Sequence, residues 1–568
     1  MSWVLGIGGY SHDASAALFH DGQLVAAAQE ERFTRIKHQG GFPMKAIQYC
    51  LSQGGINKKD VSAVAFYARR SNWDKVFWTT LRASMMNLKY TLAHRRGFVT
   101  SLGFRFYNSL KFRAELARFF EESGLPKRLF HDYDHHTCHA ASAYYSSPFE
   151  RSIVLVIDSV GDGNSTTGWI GEGNKLRKLN LQMRYPHSIA HVYNRMTKHL
   201  GFPSTGDEYK VMGLSGYGKP TYLDRLRKLM IFDSDNSYRL NMDYFTYQYA
   251  YSFSDRFYKE FGPARDVGQP MSDHYADLAA SMQQFFEEVV ERLALYLKKE
   301  TGIKNLCLAG GAALNCRSNG ALLVNGEFDQ IFVPPGASDL GTSLGAAQYH
   351  WHSIMDQPRD FILKTDDWGP KYDDDTIRRE LDRFGLQYES VDDPAKAAAE
   401  SVARGEIIGW FQGRMEFGPR TLGYRSILAD PRKPDIKDRI NKTIKFREEF
   451  RPFAPSVLRE HVKDYFNVDT DCPFMTFTMD VLHEKRNQIP GVVHVDGSGR
   501  LQSVAQQDQP LYYRLISRFY ELTGVPVVLN TSFNLAGEPI VCTPLDAVRT
   551  FYTSGMDALF IGGYVVRK

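Results

Sequence analysis

The chain has 568 residues, 43% hydrophobic and 24% charged, an ordinary globular balance that allows a core in each of about two to four domains. Its 69 Lys and Arg against 65 Asp and Glu leave a net charge of only +4, which speaks against a dedicated nucleic-acid binder. Six scattered cysteines form no Cys-x-x-Cys pair, no long apolar run appears, and the N-terminus lacks a basic signal region. The expectation is a reduced, cytoplasmic protein that neither spans a membrane nor binds nucleic acid.

Trp3–Gly8 reads as a strand, residues 14–19 as a second, and residues 24–28 as a third beyond the hairpin signal Asp21-Gly22. Residues 68–125 read as a helical insertion containing Trp73, Phe77, Trp78, Met85, Met86 and Tyr90. Those residues suit either internal packing or a cap over an acceptor pocket. The strand grammar returns at 153–157, followed by Asp158, by Gly161-Asp162-Gly163 and by a strand at 166–170. Two strand–acidic–glycine openings suggest a duplicated α/β core whose strand-end loops face one cleft. The aromatic stretch 240–260, with Tyr244, Phe245, Tyr247, Tyr249, Tyr251 and Phe253, suits core packing or a pocket wall equally. Asn305–Ala309 is a further strand, leading through Gly310-Gly311-Ala312-Ala313-Leu314-Asn315 into a helix, and 331–333 is another. Residues 351–375 turn polar and mark a domain boundary, so that 1–360 and 361–568 form the two domains.

Asp134-His135-His136-Thr137-Cys138-His139 opens a run of small residues suited to a helix. There His135 and His139, at i and i+4, share one face as metal ligands require, while His136 points elsewhere. The same spacing also occurs in purely structural histidines. Asp158 and Asp339 stand where strands feed the cleft, and two imidazoles with carboxylates suit Fe(II), Zn or Mn. Glycines at 161, 310 and 311 allow a nucleotide to approach the backbone. His12, between the first two strands, has the side chain for a general base or for a simple turn. After residue 412 the sequence is rich in cations among glycines and amides. It reads Gly413-Arg414-Met415-Glu416-Phe417-Gly418-Pro419-Arg420, then Lys445-Phe446-Arg447-Glu448-Glu449-Phe450-Arg451, then Arg500, then Asn530-Thr531-Ser532-Phe533-Asn534. Such residues on one cleft would bind a triphosphate, and no Walker-type loop competes for that task.

Taken in order with Glu30-Glu31-Arg32-Phe33-Thr34-Arg35 and Lys210-Val211-Met212-Gly213-Leu214, these motifs resemble the O-carbamoyltransferase family of nodulation-factor and antibiotic-tailoring enzymes over essentially the whole chain. The resemblance implies an α/β protein: a duplicated actin-like ATPase (ASKHA) domain at 1–360, with a smaller YrdC-like α/β domain at 361–568. It implies carbamoyl phosphate and ATP, with Mg, as substrates for a carbamoyl-adenylate made in the second domain. Arg420, Lys445, Arg451, Arg500, Asn530 and Ser532 would be the ligands there. A divalent metal, Fe(II) with Zn or Mn as alternatives, would sit on His135, His139, Asp158 and Asp339. Gly161, Gly310, Gly311 and Asn315 would lie beside the nucleotide, and His12 would deprotonate a small-molecule hydroxyl acceptor. Competing expectations are a tRNA threonylcarbamoyl enzyme, a hydrogenase-maturation carbamoyltransferase, for which zinc-finger motifs are missing, and a non-catalytic actin-like switch.

Overall fold

The computed structural model describes residues 2–69, 95–204, 206–246 and 252–568. Trp73, Phe77, Trp78, Met85, Met86, Tyr90, Tyr247, Tyr249 and Tyr251 lie outside the described residues. The chain divides into two compact units. One comprises Met1–Val25, Gly40–Ser318 and Asn325–Ile362, the other Ala26–Gln39, Asn319–Val324 and Leu363–Lys568.

Two five-stranded sheets repeat one topology. In the first, β1 (Trp3–Gly8), β2 (Ser15–His20) and β3 (Gln23–Gln29) form a meander, and β4 (Val61–Phe66) and β5 (Phe130–Asp132) extend it, in the order β3-β2-β1-β4-β5. β1 runs antiparallel to β2 and parallel to β4. After helix α1 (His135–Tyr144), the meander recurs as β6 (Arg151–Gly161), β7 (Asn164–Glu172) and β8 (Lys175–Arg184). The 29-residue helix α2 (Asp273–Thr301) then leads to β9 (Asn305–Ala309) and β10 (Gln330–Phe332), both parallel to β6, in the order β10-β9-β6-β7-β8. A meander extended at its first strand by two successive parallel strands, made twice, is the duplicated α/β core expected from the strand grammar.

The apolar run of β1 is buried at every position from Val4 to Gly8, as strands covered on both faces require. One cover is α3 (Thr342–Tyr349), rich in small residues. A Cβ on Gly6 would stand 1.9 Å from the Ser343 carbonyl oxygen, and one on Gly345 would stand 1.9 Å from that of Cys138. Missing side chains therefore let α3 wedge between β1 and α1. On α1, Ala140, Ala141 and Tyr144, with Tyr145 just beyond its end, pack into the core formed by Val154 and Val156 of β6 and Cys307 and Ala309 of β9. The described part of the aromatic stretch is core: Tyr244, Phe245 and Phe253 are buried, and Phe253 stacks on Phe257 at 3.5 Å.

The second unit is built on a nine-stranded mixed sheet. Its strands are β11 (Glu389–Ser390), β12 (Ile408–Phe411), β13 (Arg425–Ala429), β14 (Ala454–Leu458), β15 (Phe477–Asp480), β16 (Ser498–Val504), β17 (Val527–Ser532), β18 (Ala558–Ile561) and β19 (Tyr564–Arg567). They run in the order β11-β19-β18-β12-β13-β17-β14-β16-β15. Among the described residues, no helix is long and apolar enough to cross a membrane.

Candidate functional site

Asp134 caps α1, its carboxylate accepting from the Thr137 backbone N–H at 3.2 Å. The helix then presents His135 and His139 on one face, their Nε2 atoms 3.0 Å apart. β6 brings Asp158, and the turn before α3 brings Asp339. His135 Nε2 lies 3.4 Å from Asp158 Oδ2 and 3.5 Å from Asp339 Oδ1, and His139 Nε2 lies 3.4 Å from Asp339 Oδ1. All four side chains are buried, with one donor atom from each within 4.8 Å of the others. Ligands about 2.1 Å from a common ion stand about 3.0–3.4 Å apart, so this donor set fits a divalent cation. Burial opposes ionisation of Asp158 and Asp339, but the imidazoles outweigh it and hold both below the usual carboxylate range. His136 points away, its Nδ1 2.9 Å from Thr167 Oγ1.

The glycines serve this cluster sterically. A Cβ on Gly161 would stand 1.9 Å from Cδ2 of His135, so its bare Cα gives the imidazole room. Gly310 adopts φ +90°, and a Cβ there would meet the Ile157 carbonyl oxygen at 2.2 Å. Gly311 N–H donates to Asp158 Oδ1 at 3.3 Å, leaving Oδ2 turned to His135. Asn315 exchanges two amide hydrogen bonds with Gln283 of α2, at 2.9 and 3.0 Å.

His12 sits on the β1–β2 turn, its side chain 44% exposed, with Nε2 3.8 Å from Asp339 Oδ2 and Nδ1 3.0 Å from Asp13 Oδ2. Burial lowers its pKa, but Asp339, Asp13 and Asp158 raise it, to about 9. Tyr67, which the sequence reading passed over, is buried with its ring edge-on to His135 at 5.3 Å, and burial pushes its phenol up.

In the second unit, Lys445 is buried beside β17. Its Nζ donates to the carbonyl of Ser532, to Ser532 Oγ at 3.2 Å, and to the carbonyl and Oδ1 of Asn534, both at 2.9 Å. Burial, then Arg447, Arg451 and Lys37, push its pKa well below the ordinary lysine range. A buried ammonium with further cations nearby and only neutral acceptors lacks a counter-charge, which an anion would supply. Arg451 lies 3.5 Å from Glu448. Arg500 lies on β16, and Arg420 lies within the loop between β12 and β13, whose later part the buried Glu416 organises. Glu416 Oε1 accepts the backbone N–H groups of Leu422, Tyr424 and Arg425 at 2.8, 3.0 and 3.2 Å. Asn530, expected as a nucleotide ligand, is buried in an internal network. Its amide donates to the Thr421 carbonyl, Ser456 Oγ and Gln502 Oε1 at 3.2, 3.1 and 3.0 Å. Asn534 and Glu416 stand in the cation- and amide-rich motifs of the sequence but not among the ligands the resemblance implies. Asn534, two residues beyond Ser532 in the same polar motif, was the findable one.

Two family models match this chain: one described as Carbamoyltransferase N-terminus over residues 3–348, the other as Carbamoyltransferase C-terminus over residues 399–568. An uncharacterized protein of Synechocystis sp. is 40% identical over 100% of this chain and 97% of its own length. Nodulation protein NolNO of Sinorhizobium fredii is 38% identical over 98% of this chain and 79% of its own. Nodulation protein NolO of Bradyrhizobium diazoefficiens is 40% identical over 77% of this chain and 79% of its own. With both family models accounted for along one chain, and relatives this similar over most of its length, the protein belongs to the carbamoyltransferase family and is a transferase enzyme.

Proposed function

We propose that the second unit makes a carbamoyl-adenylate and that the first unit passes its carbamoyl group to a hydroxyl of a small molecule. Carbamoyl phosphate and water give carbamate and phosphate. A carbamate oxygen then attacks the α-phosphorus of ATP, and pyrophosphate leaves. Arg420, Lys445, Arg451 and Arg500 are the cations this reading assigns to phosphate oxygens, with Mg accompanying the ATP. Ser532 and Asn534 hold Lys445 in place, and Asn530 holds the strand beneath. For the transfer, His12 Nε2 takes the acceptor hydroxyl proton, the hydroxyl oxygen bonds to the carbamoyl carbon, and the bond from that carbon to the AMP oxygen breaks.

The observation that carries this reading is the buried His135–His139–Asp158–Asp339 set with His12 at its edge. A divalent ion on those four residues would supply a Lewis acid for the reacting carbonyl and offset the carboxylate charge that keeps His12 protonated. Gly310 and Gly311 let the turn after β9 close against β6 beside the four-residue set, where this reading places the leaving nucleotide. The test is release of pyrophosphate from ATP and carbamoyl phosphate by the purified protein. Release equimolar with phosphate is expected, and Arg451→Ala should cut it by about a hundredfold, since a bidentate contact to phosphate is lost. Absence of pyrophosphate with the wild-type protein would sink the reading in favour of a nucleotide-binding switch.

A further inference from the structure

The run Glu30-Glu31-Arg32-Phe33-Thr34-Arg35 belongs by sequence to the beginning of the chain, yet it lies in the second unit. Its single helical turn, Glu31–Thr34, carries Arg32 and is followed directly by Arg35, and the two arginines reach different loops of that unit. Arg32, 3% exposed, pairs with Glu31 at 2.8 Å and donates to the Gly418 carbonyl at 3.1 Å. The N–H of the same Gly418 donates to Asp366 Oδ2 at 2.7 Å. Gly418 is thus clamped at both its N–H and its carbonyl, two residues before Arg420. Arg35 donates to the carbonyls of Ile540 and Pro539 at 2.6 and 2.8 Å and lies 3.4 Å from Asp546. That loop begins where Asn534 Nδ2 donates to the Glu538 carbonyl at 2.7 Å, turning Oδ1 of Asn534 onto Lys445. Two residues past Arg35, Lys37 lies near enough to Lys445 to contribute to its depressed pKa.

We propose that Arg32 and Arg35 are positioning residues of the adenylate-forming half-reaction, Arg32 fixing the loop that carries Arg420 and Arg35 fixing the loop that anchors Asn534 and Lys445. The inference rests on the two-step reading given above. Both contacts join residues more than 380 positions apart, and each guanidinium ends on backbone carbonyls, which pin loop shape whatever side chains the loop bears. Neither arginine is among the four cations that the two-step reading assigns to phosphate oxygens.

The test measures pyrophosphate release by the full-length protein and by Arg32→Met and Arg35→Met, with ATP titrated. Each variant should raise KM for ATP at least tenfold while its melting midpoint stays near that of the wild type. Arg32→Lys and Arg35→Lys, which keep one donor, should recover part of that loss. Arg459→Met, which removes an exposed ion pair with Asp469 and Asp471, should match the wild type. If Arg32→Met fails to fold, Arg35→Met and the two lysine variants decide the matter. Wild-type KM and kcat in folded variants, or a loss that tracks melting with no lysine rescue, would overturn the proposal. Failure of the wild-type protein itself to release pyrophosphate would overturn the two-step reading instead.

Discussion

Lys445 shows what a buried charge costs. Its four acceptors are neutral oxygens, and the charges nearest to it are cations, so the unliganded fold holds the ammonium at a pKa well below the ordinary range. An anion placed there supplies the missing counter-charge and raises that pKa again. Pyrophosphate at about a hundred times its Kd should therefore stabilise the wild-type protein by about 2.7 kcal/mol, seen as a raised melting midpoint. Lys445→Met should show little of that shift. Because binding favours the protonated lysine, pyrophosphate affinity should fall as pH rises above the depressed value, until the bound-state pKa is reached. Calorimetric titration across pH would read this directly, and a pH-independent affinity would refute it. The i, i+4 spacing of His135 and His139 was legible in the sequence because a helix converts spacing into a shared face. Glu416 and Asn530 were opaque. A buried carboxylate that gathers three backbone N–H groups, and an amide saturated by Thr421, Ser456 and Gln502, depend on partners that only the fold brings near.

At the scale of elements, the site rests on close approach. α3 lies between β1 and α1 because Gly6 and Gly345 carry no side chains. Gly345→Ala would improve helix propensity by about 1 kcal/mol. The added methyl would nonetheless stand 1.9 Å from a backbone carbonyl of α1 that cannot swing aside. Overpacking of that kind costs about 1–3 kcal/mol, so the net effect should be a lower melting midpoint for the first unit. Gly161→Ala should act more locally, displacing His135 and weakening divalent-metal binding by about tenfold or more, with pyrophosphate release retained. Metal titration followed by calorimetry would distinguish the two variants. The first meander and the first two strands of the second were readable because β1 and β6 are apolar runs and Asp21-Gly22 marks a hairpin, whereas the mixed, half-exposed β8 was not read. The parallel additions β4 and β5 were not, since short buried strands carry no period of their own, and most of the nine-stranded sheet was hidden for the same reason. The aromatic residues Tyr244, Phe245 and Phe253 are core, and composition alone could not separate that from a pocket wall.

At the scale of the whole molecule, each unit carries its own chemistry-bearing constellation, and the polar stretch at 351–375 marks the change between them in sequence. Residues 26–39 and 319–324 cluster with the second unit without any compositional mark, because their membership is decided by contacts such as Arg32 to Gly418 and Asn319 to the Thr476 carbonyl, made across long loops. Under the proposed two-step reading, two constellations in one chain imply that the half-reactions can be broken separately. His135→Ala removes one of the four residues proposed to hold the cation and leaves the Lys445 cluster untouched, so pyrophosphate release should continue at close to the wild-type rate. Carbamoylated product should fall below detection. A chelator that strips a divalent ion from the four-ligand set should reproduce the same split, provided Mg is restored for the ATP. Paired assays of pyrophosphate and of labelled carbamoyl groups in product give both readouts from one reaction. If His135→Ala lost both activities in equal proportion while remaining folded, the cation site would have to serve adenylate formation as well, and the division of labour between the units would fall.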